Sequence, residues 1–449
     1  MTPAGRALIE RASPDDLMLL ASDVGPVPMQ AGAVLVLDAG PDFDLATAQA
    51  ILTARITTVP RLRQRLVRAP LGCGRPIWID DQAFDIKAHV RSVQCQPPGD
   101  EAALLERVTA TATQPLPWSR PLWSATFVTG LASGRVAIIV VFHHVLADGI
   151  GGLAVLASLV DGAPGAANAP FPRPAPSRRQ LAEDALGSRL KALAHPAAVL
   201  GRVRPALAEL KPGGLARPAR TTLNAVTGPA RRILVTRTGL ETVVAFAHSH
   251  DATVNDVVLA VVARALRSLL ASRGEQAGDL VASVMVTGRP ATTATQLGNQ
   301  IGVMPVRLPG HGDLSDQIAQ IATATRARKT ANRAASAGLL RPAFRTLAAV
   351  GLLGWLINRQ RLVSVFVTNL RGPADQFRFA GALIADVIPI TDIAGNVTLS
   401  FGVMSYAGTL VVVVVADPDH HPDLDTLAGL LQAELDDLSG EKGKRTPIR

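Results

Sequence analysis

Val136-Ala137-Ile138-Ile139-Val140-Val141-Phe142-His143-His144-Val145-Leu146-Ala147-Asp148-Gly149 is the stretch from which the rest of the chain can be read. Its first seven residues are apolar and rich in β-branched side chains, enough for one buried strand. Ile150 to Val160 follows, a small-residue and aliphatic run that reads as a helix. Two histidines and a carboxylate therefore stand at a strand-to-helix turn. Successive side chains of a strand point to opposite faces, so His143 and His144 cannot enter one cleft in the same way. One faces a cleft and the other packs behind it.

A neutral imidazole near pH 7 removes a proton from an alcohol as the alcohol attacks a thioester, then returns it to the leaving thiolate. No covalent enzyme intermediate is needed. Asp148 has two candidate tasks: orienting the imidazole, or pairing with an arginine to hold the turn. A buried aspartate needs a partner, and Arg289 in Thr287-Gly288-Arg289-Pro290 is the candidate. Gly149 lets backbone and substrate approach closely. A metal site is the weaker reading, because adjacent strand histidines diverge and no HxxEH or HxD spacing supplies a third ligand. Gly149-Ile150-Gly151-Gly152-Leu153-Ala154 fits GxGxxA, but the acidic residue a dinucleotide fold requires about 20 residues on falls in a Gly/Ala/Pro run. A GxSxG elbow and a P-loop are both missing.

Working outward, Trp123 to Thr129 and Arg135 to Phe142 read as a hairpin across Gly130-Leu131-Ala132-Ser133-Gly134. Upstream, Ala31 to Leu37 reads as a strand, and Leu45 to Thr57 and Glu101 to Thr113 as helices. Gly162 to Pro176, GAPGAANAPFPRPAP, cannot hold regular structure. A helical stretch, Ser177 to Leu210, and a second break, KPGGLARPAR, complete a linker. Beyond it, Asp251 to Leu270 is a strong helix that Thr253 or Asn255 could cap. Arg232 to Val235, Val281 to Val286, Val303 to Leu308, Leu362 to Thr368, Leu383 to Ile388, Val397 to Met404 and Thr409 to Val415 read as strands. Leu314 to Ala331 and Leu424 to Leu438 read as helices, the second amphipathic. The expected organisation is two α/β domains, 1–161 and 222–449, joined by 162–221.

The 449 residues suit two domains. At 48% hydrophobic and mean hydropathy +0.25 the chain is oily, yet it holds no run of about 18 apolar residues. The N-terminus lacks the apolar stretch of a signal peptide, so a cytoplasmic protein, peripherally attached to a membrane or lipid inclusion, is expected. Leu347 to Leu356 is apolar almost all round and flanked by Arg341, Arg345, Arg359 and Arg361, which suits a buried helix or one lying in a membrane interface. Cys73 and Cys95 make no disulfide framework. The net charge of +9, from 45 Lys+Arg against 36 Asp+Glu, suits anionic head groups or the phosphates of coenzyme A. Aromatics are 4% and do not interleave with basic clusters, so nucleic acid is not an expected partner.

Several blocks in order carry a resemblance. They are Pro121-Leu122-Trp123, the His143-His144-Val145-Leu146-Ala147-Asp148-Gly149 turn (HHxxxDG), and Thr253-Val254-Asn255-Asp256-Val257-Val258. Leu297-Gly298-Asn299-Gln300, Thr368-Asn369-Leu370-Arg371-Gly372-Pro373, and Ser405-Tyr406-Ala407-Gly408 leading to Ala416-Asp417-Pro418 complete the set. From about Ser13 to Leu438 the chain resembles the bacterial wax ester synthase/acyl-CoA:diacylglycerol acyltransferase family. HHxxxDG alone marks a wider acyltransferase superfamily. Asp15-Asp16-Leu17-Met18-Leu19-Leu20 lacks the aromatic usual there, and Leu370-Arg371 replaces the commoner Val-Pro.

The resemblance implies two chloramphenicol-acetyltransferase-like domains with the active site and substrate channel between them. It implies His144 as general base, His143 in support and Asp148 as a salt-bridged structural residue. The implied donor is a long-chain acyl-CoA, a substrate and not a cofactor. The implied acceptor is a diacylglycerol or a long-chain alcohol. Trp123 is a candidate wall of the acyl channel, Asn369 a candidate substrate contact, and Asn255 a candidate contact across the domain interface. The alternatives are a non-lipid hydroxyl or amine acceptor on the same fold, and a non-catalytic lipid-binding protein.

Overall fold

The computed structural model describes residues 9–147, 149–163, 170–193, 220–287, 301–330, 347 and 351–440. In chain order its strands are β1 (Gln30–Asp38), β2 (Gln64–Val67), β3 (Ile77–Asp80), β4 (Val90–Gln94), β5 (Trp123–Thr129), β6 (Val136–His143) and β7 (Arg232–Gly239). The second half adds β8 (Leu280–Thr287), β9 (Ile301–Leu308), β10 (Val365–Arg371), β11 (Arg378–Phe379), β12 (Ala382–Ile390), β13 (Leu399–Tyr406) and β14 (Thr409–Ala416). They form two six-stranded mixed sheets, in the orders β11-β12-β1-β6-β5-β4 and β7-β14-β13-β10-β8-β9, and a small β2-β3 ribbon.

The apolar run before the histidines becomes β6, and all eight of its residues are buried. The period-2 alternation of a strand sends Val136, Ile138, Val140 and Phe142 into one core and Ala137, Ile139 and Val141 into another. A strand covered on both faces reads as a continuous apolar run. The first core lies under the helices Leu45–Ile56 and Gly149–Leu159. The second also takes Val411, Val413 and Val415 of β14, so it is the apolar layer between the two sheets. At its rim Arg237 of β7 pairs with Glu101 at 2.5 Å and Asp386 of β12 at 2.8 Å.

The first sheet is not built from the first half alone. β12 comes from beyond the linker and pairs antiparallel with β1, Gly32 opposite Ile390 and Val34 opposite Ile388. β1 in turn pairs with β6, Gln30 opposite His143. The division of the chain at the linker therefore does not coincide with the division between sheets. Gly32 sits where this ladder is tightest: a Cβ there would lie 1.9 Å from the carbonyl oxygen of Val140.

The second sheet packs on Val254–Ser272 and Leu424–Gly440. Thr253, and not Asn255, caps the first of these, in a box in which Asp256 reaches back to the Thr253 N–H. A further helix, Leu240–Ser249, precedes it and lies outside the elements read from local pattern. The run Leu347 to Leu356 does not form one continuous helix. Gly351 adopts φ +74°, a left-handed turn, and a short helix, Leu353–Ile357, begins only after it.

Candidate active site

The histidine turn is tied to both neighbouring strands. The His143 N–H donates to the Leu122 carbonyl at 3.0 Å, and the His144 N–H to the Met29 carbonyl at 2.9 Å, just ahead of β1. The Leu146 N–H returns to the His143 carbonyl at 2.9 Å, which closes the turn. The backbone of both histidines is thus fixed before their rings are considered.

The His143 ring is 2% exposed and held at both nitrogens. Its Nδ1 accepts the Val145 N–H at 3.1 Å, which requires an unprotonated Nδ1. The ring proton therefore sits on Nε2, which donates to Asp23 Oδ2 at 3.0 Å. Asp23 caps the C-terminal end of the helix Pro14–Ser22, and its Oδ1 accepts the Met29 N–H at 2.9 Å. Burial alone would push the pKa of Asp23 up, but the bonds from His143 and Met29 outweigh it and hold the carboxyl below its ordinary value. The half-exposed Trp118 stands edge-on to the His143 ring, centroids 5.1 Å apart. His143 is consequently a fixed, neutral group behind the turn.

His144 lies one residue past the strand end and is half-buried. The two adjacent rings diverge in environment, as alternation requires. Asp148 and Arg289 lie outside the described residues, as does Leu297 to Gln300. Gly149 opens the helix Gly149–Leu159. A Cβ at Gly149 would meet Leu370 Cδ2 at 3.0 Å, so the turn sits directly against β10 of the other sheet. The histidine turn and the Thr368-Asn369-Leu370-Arg371-Gly372-Pro373 block thus face each other.

Asn369, next on β10, is half-buried, and its Nδ2 lies 3.5 Å from Asn255 Oδ1. The structure brings these two asparagines together, while Asp256 beside them is consumed by the helix cap and by Thr325, whose hydroxyl donates to it at 2.8 Å. Trp123 is 3% exposed; its Nε1 donates to the Leu62 carbonyl at 2.7 Å and its ring stacks on His89. It also lines an enclosed apolar cleft with Phe142, Leu146 and Val155, immediately behind the histidine turn. A more open cleft of about 260 Å³ lies elsewhere, at the start of Val254–Ser272, between His248 and Arg326.

Asp23 and Trp118 were not among the expected site residues. Asp23 is 120 positions from His143, and a single aspartate after a helix carries no spacing signal.

The arrangement is one fixed histidine and one half-buried histidine at the junction of two sheets. The wax ester synthase/diacylglycerol acyltransferase catalytic domain matches residues 12–258, and the C-terminal domain of the same family matches 297–439. The chain belongs to the wax ester synthase/diacylglycerol acyltransferase family. It is accordingly an acyltransferase. A probable diacylglycerol O-acyltransferase of Mycobacterium tuberculosis is 31% identical over 426 residues, covering 91% of each chain. A putative diacylglycerol O-acyltransferase of the same species is 30% identical over 433 residues, again 91% of each. Among solved structures, the wax ester synthase/diacylglycerol acyltransferase of Marinobacter aquaeolei VT8 superposes with a TM-score of 0.69 at 21% identity, over 96% of this chain and all of that one. The starter condensation domain of rhizomide synthetase, solved with C8-CoA, gives 0.63 at 17% identity over 96% of each chain. Both structures share the expected two-domain acyltransferase fold.

Proposed function

We propose that this member of the family transfers a long-chain acyl group from acyl-CoA to the hydroxyl of a diacylglycerol or a long-chain alcohol, with His144 as general base. A ring nitrogen of His144 takes the hydroxyl proton as the oxygen attacks the thioester carbonyl. The C–O bond forms, the C–S bond breaks, and the imidazolium returns the proton to the coenzyme A thiolate. Acyl-CoA is consumed as a substrate, and the reading includes no cofactor.

The observation that carries this reading is the unequal treatment of the two rings. His143 is locked by Asp23 and the Val145 N–H, a support role, whereas His144 stands past the strand end, in the turn whose Gly149 meets Leu370 of β10. The names of the relatives supply the acceptor class, and the C8-CoA in a structural relative suits the donor class. Trp123 and the apolar cleft behind the turn suit an acyl chain, and Asn255 with Asn369 suits a polar contact at the junction. Asp148, with Arg289 as its candidate partner, keeps the structural role that the family resemblance implies.

An insoluble acceptor calls for contact with a lipid surface. Among the described residues no helix is long and apolar enough to cross a membrane. Trp355 (57% exposed), Leu352 and Leu362 instead expose apolar side chains near one another in sequence, with the Arg359 guanidinium 5.2 Å from the Trp355 ring. The short helix Leu353–Ile357 packs beside Pro14–Ser22, whose end holds Asp23, so a lipid surface at Trp355 lies close to the site. Peripheral attachment there fits the reading.

The test is thiol release from palmitoyl-CoA with dioleoylglycerol, hexadecanol and polar hydroxyl or amine acceptors. Lipid acceptors should turn over, and His144→Ala should lower the rate by about 10²–10⁴-fold, the ordinary worth of a general base, with the fold intact. Turnover only with polar acceptors would move the assignment to a non-lipid acyltransferase. Full activity in His144→Ala would remove the mechanism.

A further inference from the structure

A second carboxylate, from the other half of the chain, stands at the same end of the first sheet as the histidines. β12 runs beside β1 and ends at Ile390, opposite Gly32, while β1 runs beside β6 with Gln30 opposite His143. Asp392 follows two residues past Ile390, and the register, continued that far, leads toward Gln30 and His143. The loop it enters is held firmly. Arg231 donates to the carbonyls of Gly228 (2.6 Å), Ala230 (2.7 Å) and Ile393 (3.4 Å), and Thr227 donates through N–H and hydroxyl to Gly395 at 3.0 and 3.1 Å. Gly395 itself takes φ +64°, with Ile357 2.2 Å from where a Cβ would stand, so the loop has little freedom to rearrange.

Asp392 is half-buried as a residue, yet its Oδ2 is shut off from solvent and accepts no hydrogen bond from the described residues. A buried carboxylate oxygen without a donor is costly, and such groups persist where they serve a purpose. The charged groups that act on Asp392 are His144, Arg231 and Asp23. Arg231 spends its donors on backbone carbonyls, and Asp23 is committed to His143 and Met29.

We infer that Asp392 is a positioning residue for the transfer reaction: its carboxylate stabilises the His144 imidazolium formed when the acceptor hydroxyl gives up its proton. A neutral ring gains little from it. The protonated ring gains most, so the benefit falls on the transition state rather than on bound substrate. Burial pushes the pKa of Asp392 up, and the His144 and Arg231 charges oppose that rise while Asp23 adds to it. A charge on His144 therefore favours the ionised carboxylate, and by reciprocity the carboxylate favours the charged ring. The inference deepens the assignment of His144 and rests on it.

The experiment compares wild type with Asp392→Asn and Asp392→Glu in the palmitoyl-CoA assay across pH, and follows the His144 ring by nitrogen-15 NMR titration, assigned with His144→Gln. In Asp392→Asn, kcat should fall ~10-fold with KM little changed, and the acidic limb of the kcat/KM profile should move down by about one pH unit, because loss of a nearby negative charge makes the base easier to deprotonate. Asp392→Glu should restore most of the rate. The NMR titration of His144 should move in the same direction whether or not an acceptor has been found. If the NMR titration does not move in Asp392→Asn, the inference fails. If it moves while wild type transfers no acyl group to any acceptor, the coupling stands and the functional assignment of the site fails instead.

Discussion

Asp23→Asn isolates the contribution of the support beneath the histidine turn. Asp23 offers one oxygen to the Met29 N–H at 2.9 Å and the other to His143 Nε2 at 3.0 Å. Asparagine has one acceptor oxygen, and its amide would point a donor at a donor. One of the two N–H groups is then left buried and unmatched, and a charge-assisted bond is lost, at a cost of about 1.5–3 kcal/mol. At about 2–4 °C per kcal/mol for a mid-sized domain, the melting temperature should drop on the order of 5 °C. His143 would be free to turn, and with it the peptide that carries His144. A misplacement near 1 Å costs up to about 10²-fold, so kcat should fall between ~10- and ~100-fold. The sign of the pH effect is fixed as well. The folded carboxyl lies below its unfolded value, so its stabilisation is complete above about pH 4 and is lost as pH falls through the lowered value. The stability gap between wild type and variant should therefore be full at pH 7 and close in acid. Thermal melts at pH 7 and pH 3, with kcat at pH 7, make the comparison. Equal melting temperatures at pH 7 together with an unaltered kcat would refute the support role.

Two further outcomes follow from other parts of the molecule. His421 is fully buried; Nδ1 accepts from Arg273 at 3.0 Å and Nε2 donates to Thr398 at 2.8 Å, so the ring is neutral, and burial followed by the Arg273 charge pushes it down to about 4. The unfolded ring takes up a proton near 6.5, so wild type should lose about 3 kcal/mol between pH 6.5 and 4, and His421→Gln should lose far less over that range in urea titrations. Trp355→Ala should weaken sedimentation with anionic phospholipid vesicles ~10-fold, about the worth of burying one large apolar side chain, and unchanged binding would clear Trp355 of a docking role.

Local pattern made much of this fold legible. The hairpin β5-β6 shows as two apolar runs around a glycine-rich turn, and Glu101–Thr113 shows as a helix at its observed bounds. Val254–Ser272 announces itself by period and by Thr253 or Asn255 as candidate cap, of which Thr253 serves. The histidine turn likewise follows from its residues, since adjacent strand positions must diverge. What local pattern does not encode is partnership at a distance. Nothing around Asp23 points to a histidine 120 residues away, and nothing in Ala382–Ile390 says that this strand joins β1 rather than β13. Asp392 reads as one more loop aspartate until the sheet order places it. Leu347 to Leu356 misleads in the other direction, because composition suggested one helix and a left-handed Gly351 divides it.

The way β12 completes the first sheet has a consequence for biosynthesis. The strand beside β1 leaves the ribosome long after β1 and β6, so for most of translation one edge of the catalytic sheet has its N–H and C=O groups exposed. Such an edge recruits whatever strand it meets. Chains that terminate before Ile390 keep that edge permanently and cannot bring Asp392 to the histidines. Competence for acyl transfer thus arrives only after β12 has been made, and separately expressed halves would have to find each other before either could work.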